Sequence, residues 1–433
     1  MNILLLAGIV PFRTHGEPGV TAAHIVTRAL IDQLGALGHK VTLQCILHQA
    51  RPAGELKDAE RRELEDAKTK GIGVLPPLFL SEHFRRKPER LRSLRMIGNT
   101  KKALAHFYPG FCLRSIMQDR LRAGDYDVVV PVWSPQGVAA THGLDVPRVA
   151  FHGDIDFEPS LCRLVLDPAL FQNELSLLNP VSVMAYLDRQ LRVRMFRKAH
   201  MALMAKVDAL ANITARNAEF YDQHGHPKSV YTRNIWVDGG APAVRERKEG
   251  PINIIGHVGY LDKTGGTYGL RFLLEGVVPA LEKTMAGKDY EVQIIGGGEM
   301  MPALRPLAKH PRIRLRGFVE DLEAELAQSD VFCLFNNVAP YKAAYTRHLV
   351  AWSNGLCMVA HADSKLAIPE LEHRRNVLLA DNAEDAARSI AEAAMNAELN
   401  RQIRLEGRKT YEECFTPEIV AKRLEEVLQS VGR

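Results

Sequence analysis

Three groups of residues have the types and spacing to do chemistry. An apolar run at 148–152 ends on His152, followed at once by Gly153 and Asp154. That sets an imidazole and a carboxylate at the end of a predicted strand, where parallel sheets bind ligands, and an imidazole is the side chain best suited to proton work near neutrality. The same histidine serves equally well as a hydrogen-bonded boundary residue. Gly16-Glu17-Pro18-Gly19-Val20 precedes a predicted helix. Glycines let backbone amides approach an anion, and a helix N-terminus favours phosphate, although a plain strand-to-helix turn uses glycine too. Tyr345, Thr346 and Arg347 open a second predicted helix, where amides and a guanidinium suit a phosphate group.

Those groups need scaffolds, and the sequence supplies two series of them. In the first half, apolar β-type runs at 2–7, 40–45, 128–132 and 148–152 alternate with helical patterns. A helix is predicted at 21–37 with Gly38 as its C-cap, and a charged surface helix at 55–71. The long stretch 161–198, rich in Leu, Arg and Met, is expected to be helical and near the acceptor side. A second series has strands at 252–257, 291–296, 313–317, 331–335, 357–361 and 377–380. Helices are expected between them at 268–283, 300–308, 321–327 and 346–353. Alternation of this kind gives parallel sheets covered by helices on both faces. The linker falls at 237–250, which has Gly-Gly, a Pro and mixed charges without apolar periodicity.

Composition narrows the class further. The chain has 433 residues, 46% apolar and 25% charged, with a net charge of +5. That is an ordinary globular balance in a chain long enough for two domains. Six cysteines without a CxxC pair read as reduced thiols, not as a zinc site or disulfide frame. The opening apolar run is expected to be a buried first strand and not a leader, and no window is long enough to span a membrane. Positive charge concentrates at 85–122, interleaved with Leu91, Leu94, Met96, Phe107, Tyr108 and Phe111. Such a stretch can rest on anionic lipid or grip an anionic acceptor, or be a solvated helix face. Nucleic acid is not expected, since no binding motif accompanies the charge.

In order along the chain, these patterns resemble glycosyltransferase family four, retaining sugar-nucleotide enzymes of the GT-B fold. The likeness is carried by Gly16–Val20 with Leu37-Gly38-His39-Lys40-Val41-Thr42, by His152-Gly153, by Arg233-Asn234-Ile235-Trp236-Val237-Asp238, by Gly296-Gly297-Gly298-Glu299 and by Gly317-Phe318-Val319-Glu320-Asp321. The resemblance implies that His152 contacts the transferred sugar or leaving phosphate, that Asp154 serves the acceptor hydroxyl, and that Gly19 faces the diphosphate. It implies that Gly297 opens room beside the donor and that the backbone at Val319 and Glu320 holds the base. Asp321 also reads as the N-cap of the next helix. Relatives place Arg and Lys after the first strand of the second domain, to neutralise the leaving diphosphate without a metal. Here Tyr260 stands at the Arg position, and Lys263 supplies the Lys if the loop is shortened. Counting back from 349–360 puts Lys342 and Val350 where relatives carry two glutamates. Valine cannot accept from a ribose hydroxyl, and lysine reverses the charge beside the sugar. Three explanations fit: an acidic sugar paired with Lys342, a GT-B chain that has lost activity, or a shifted register in this loop.

The expectation is therefore an α/β chain of GT-B type: two doubly wound Rossmann-like domains with an interdomain cleft. The first, acceptor-side domain spans 1–238 and the donor domain 239–415, with a helix at about 416–433 packing back on the first. The expected activity is metal-independent, retaining transfer from a nucleotide-sugar, with no cofactor, to a glycan, lipid-linked saccharide or protein. The donor site draws on Tyr260, Lys263, Lys342, Tyr345, Thr346 and Arg347. The expected setting is the cytoplasm, with peripheral contact at the inner membrane face through 85–122. The alternative is an inactive subunit that binds a glycan or partner transferase; a GT-B epimerase ranks below both.

Overall fold

The computed structural model describes residues 1–12, 21–47, 56–80, 96–175, 180–240, 250–342 and 346–431. Within them the strands are β1 (Asn2–Ala7), β2 (Lys40–Leu47), β3 (Gly73–Val74), β4 (Leu78–Phe79), β5 (Val128–Val132), β6 (Val149–His152), β7 (Ala209–Asn212) and β8 (Ser229–Tyr231). The second series is β9 (Ile252–Val258), β10 (Tyr290–Ile295), β11 (Ile313–Gly317), β12 (Val331–Leu334), β13 (Met358–His361) and β14 (Leu378–Ala380). Strand runs such as Ile3-Leu4-Leu5-Leu6-Ala7 are buried along their length, as central parallel strands covered on both faces must be.

Two parallel sheets result. The first has the order β3-β2-β1-β5-β6-β7-β8, with β4 also on β2; the second has β11-β10-β9-β12-β13-β14. In each, the chain builds outward one way and then reverses. The reversal lies between β1 and β5 in the first sheet and between β9 and β12 in the second. Such switch points leave a crevice at the strand C-termini.

The last helices tie the halves together. Helix Pro417–Gln429 lies against helix Ala22–Ala36 of the first domain, and Glu425 is 3.1 Å from His39 Nε2. Helix Ala397–Cys414 packs on helix Thr346–Ser353, with Gly407 against Trp352. At the crossing, Arg408 grips Asp238 with two bonds of 2.5 and 2.6 Å, and the Tyr411 hydroxyl donates to the Trp236 carbonyl.

Two expected helices are corrected. The stretch 161–198 is helical only in part: helix Glu158–Leu161 runs into a wide helical turn at Cys162–Leu166, turns follow, and helix Pro180–Met204 covers the end. Pro168 and Pro180 interrupt it, because proline cannot supply the interior amide. The stretch 300–308 forms turns and one short 3-10 turn, Leu307–Lys309, since Pro302 and Pro306 break the apolar spacing. In the basic stretch, Tyr108 is buried and Phe107 stacks on Phe196 at 4.5 Å, so the described aromatics face the core. Leu91 and Leu94 lie outside the described residues. Among the described residues no helix is long and apolar enough to cross a membrane.

Candidate functional site

In the second domain, the loops after β9, β10 and β11 are laced together. The Gly259 amide donates to Ile295, Leu261 to Gly297, and Gly296 to Gly317, at 2.8–2.9 Å. Both pairings of β10 shift register at its C-terminal end, between Gln293 and Ile294 against β9 and between Ile294 and Ile295 against β11. Bulges there re-aim the loops. A methyl group at Gly296 (φ 147°) would lie 1.9 Å from the Gly259 carbonyl oxygen, so only glycine fits.

Arg347, near the start of helix Thr346–Ser353, reaches back over this floor. A methyl group on Gly259 would sit 2.3 Å from its Nη2, so the guanidinium rests on the bare backbone. Burial pushes its pKa down to about 10. Its Nη1 is shielded from solvent and has no hydrogen-bond partner among the described residues. Below it, His257 is held neutral: burial first, then the Arg347 charge, lowers its pKa to about 3, and it contacts the Gly259 carbonyl. A buried cation without a partner is an open place for an anion.

The other expected donor residues are placed as follows. Tyr260 is 47% exposed, and the Lys263 ammonium lies 5.7 Å over its ring. Gly297 sits at the β10 loop; Val319 is half-buried and Glu320 exposed after Gly317. The Asp321 carboxylate caps the next helix through the Ala324 amide at 2.9 Å. Thr346 begins its helix beside Arg347. Gly19 and Tyr345 lie outside the described residues. Lys342 is ion-paired with Asp363 at 3.0 Å, a partner that sequence reasoning did not find. Val350 packs against the apolar core.

On the first-domain side, the turn after β6 is pinned by helix Ala215–Gln223: Asn217 donates to the Gly153 carbonyl at 2.6 Å. His152 is 5% exposed, and its Nε2 lies 2.7 Å from the Tyr221 hydroxyl. That hydroxyl is also 2.5 Å from His200 Nε2, and Tyr108 bridges His200 Nδ1 (2.8 Å) to Asp156 (3.0 Å). Burial, then the His200 neighbour, pushes the His152 pKa down to about 3, so the ring is neutral at physiological pH. Asp154 is exposed and faces the other domain, where burial and then its charge raise the pKa of the Tyr341 phenol.

Trp133, at the C-terminal end of β5, was missed. Its backbone is left-handed (φ 45°), an outlier for a bulky residue, and its indole lies against Gly153. The only local signal was a strand end running into Ser134-Pro135. A contact between the halves was missed as well: Arg271 meets Asp167 at 2.6 Å, and Phe171 packs edge-on to Tyr268 at 5.5 Å. The His152 turn and the Arg347 floor thus belong to two sheets whose strand ends bound one cleft.

No curated protein matches the sequence. Residues 252–396 match the family described as Glycosyl transferases group 1. Among solved structures, sucrose-phosphate synthase from Thermosynechococcus elongatus is similar at TM-score 0.58 and 13% identity, over 99% of each chain. HepE from Anabaena, solved in complex with UDP and glucose, is similar at 0.55 and 13%, over 99% of this chain and 100% of its own. A glycosyltransferase from Rickettsia africae matches at 0.54 and 11%, over 99% and 98%. The chain has the GT-B fold, and its second domain is similar to group 1 glycosyl transferases.

Proposed function

We propose that the protein is a glycosyltransferase that binds a nucleotide-sugar across the cleft, with its diphosphate against Arg347. The observation that carries this is the Arg347 guanidinium resting on Gly259 at the switch point of the second sheet, with Nη1 shielded and without a hydrogen-bond partner among the described residues. A leaving diphosphate gathers charge as the sugar departs, and a preorganised cation in a dry site stabilises it. The family match over 252–396 and the UDP complex of HepE support a nucleotide-sugar donor. Gly297, Val319 and Glu320 would frame sugar and base, Tyr260 and Lys263 the outer edge of the diphosphate, and His152 and Asp154 the sugar and acceptor side. Transfer with retention, without a metal ion, to a glycan, lipid-linked saccharide or protein, follows from the resemblance to family four. Exposed Lys101, Lys102, Arg114 and Arg122 suit an anionic acceptor or lipid surface.

Calorimetry with UDP, ADP and GDP tests the donor site. At least one should bind, and Arg347→Met should weaken it by tenfold or more, as loss of a charge-assisted hydrogen bond requires. Binding of none would sink the reading. A non-catalytic subunit is the second reading, favoured by Val350 at the ribose position and by Lys342 already being paired with Asp363. Nucleotide binding without release of sugar from any matching sugar nucleotide, with or without acceptor, would select it.

A further inference from the structure

The hydrogen bonds around His152 form one chain with a direction, and that direction decides what the ring can offer a substrate. Asp156 lies at one end; its carboxylate can only accept, and the Tyr108 hydroxyl donates to it at 3.0 Å. The Tyr108 proton is thereby used, so its oxygen accepts from His200 Nδ1 at 2.8 Å. The same Nδ1 lies 3.4 Å from Asp156, which also requires a proton there. Where that Nδ1 proton is the only one on the ring, His200 Nε2 is bare and accepts from the Tyr221 hydroxyl at 2.5 Å. The Tyr221 oxygen, its own proton used, accepts from His152 Nε2 at 2.7 Å. His152 is left with Nδ1 as a lone pair. A second proton on His200 would turn Tyr221 around and move the His152 proton to Nδ1. The positions come from three elements: Tyr108 follows helix Thr100–Phe107, His200 is in helix Pro180–Met204, and Tyr221 is in helix Ala215–Gln223.

We propose that Asp156, acting through Tyr108, His200 and Tyr221, is a positioning residue that fixes His152 as an Nδ1 hydrogen-bond acceptor for a hydroxyl of the bound sugar. The sugar in this statement rests on the glycosyltransferase reading; the chain and its direction do not. The device selects for a ligand that donates a neutral hydroxyl and against one that presents an anion or lacks the group, because a lone pair held in a buried site repels the first and is left unpaired by the second. It also assigns His152 no proton to give: the ring recognises and orients.

The test uses the full chain with nitrogen-15 histidine, with the His152 ring signal identified by its loss in His152→Gln. Long-range proton–nitrogen correlation should show Nε2 protonated and Nδ1 bare in His152, and Nδ1 protonated and Nε2 bare in His200. Tyr221→Phe and Asp156→Asn should each turn the His152 signal into a tautomer mixture, while histidines outside the chain keep their shifts and report an intact fold. For a donor sugar that supports transfer, Tyr221→Phe should lower kcat by about tenfold, the worth of one well-placed hydrogen bond, with the donor KM little changed. A His152 protonated on Nδ1, a tautomer unmoved by both variants, or an unchanged kcat in Tyr221→Phe overturns the proposal. The predicted tautomers in a chain that transfers no sugar would leave the positioning chain standing and remove the glycosyltransferase reading instead.

Discussion

Arg347 sits where a cation is unfavourable until an anion joins it. Burial alone lowers its pKa to about 10, and no carboxylate among the described residues offsets the charge. Replacing it with methionine keeps the length and apolar stem while removing the uncompensated group. Arg347→Met is therefore expected to stabilise the empty protein by about 1–2 kcal/mol, the scale of an unsatisfied buried polar group. In the presence of a nucleoside diphosphate that binds, the order reverses, because ligand stabilises only the protein that holds it. Thermal unfolding of both proteins with and without nucleotide checks this; a variant less stable in both conditions would make Arg347 a structural residue. Its position was legible in the sequence, since Thr346-Arg347 opens a helix. Lys342 was not: its partner Asp363 lies beyond a helix and a strand, and only the folded sheet brings them together.

At the scale of elements, the floor under Arg347 depends on loops that interlock through backbone. The Gly296 amide donates to Gly317, while its Cα faces the Gly259 carbonyl with no room for a methyl group. Gly296→Ala is expected to cost about 3 kcal/mol, combining a positive φ with a backbone clash that no flexible side chain can relieve. Gly297→Ala, whose nearest neighbour is 4.0 Å away at the Tyr260 ring, should be close to neutral. Urea midpoints of the two variants separate them, and equal losses would deny the interlock. These strands and turns were readable because each is a short local run ending at a glycine, apolar before Gly259 and Gly296 and alternating with arginine before Gly317. The failures have local causes too. At 300–308 the apolar spacing suggested a helix, but Pro302 and Pro306 decide the backbone. At 161–198, Leu- and Arg-rich composition hid two proline breaks, and the turns around the first carry Asp167 and Phe171 to the second domain. Long-range pairs of that sort leave no periodic trace.

At the scale of the whole molecule, each sheet buries one histidine near the C-terminal end of a strand, His152 in β6 and His257 in β9, and acid should act on both. His152 and His257 have pKa values lowered from 6.5 to about 3, burial being the first cause in each case. The unfolded chain takes up protons at these rings near pH 6.5, whereas the folded chain does not until about pH 3. Their contribution to stability is thus complete above 6.5 and is lost as pH falls from there towards 3. In that window each ring adds a slope of about 1.4 kcal/mol per pH unit, as one proton taken up only on unfolding requires. Carboxylates titrate lower in the same range, so the difference between proteins is the clean quantity. His257→Gln removes one of the two rings, and its stability should fall less steeply than that of the wild type by about one such slope. Urea unfolding at several values from about pH 6 to about pH 4.5 measures both lines. Parallel lines would mean that His257 accepts a proton in the folded protein. The Arg347 guanidinium beside it would then have to be further from the ring, and the anion site more open, than the close packing on Gly259 indicates.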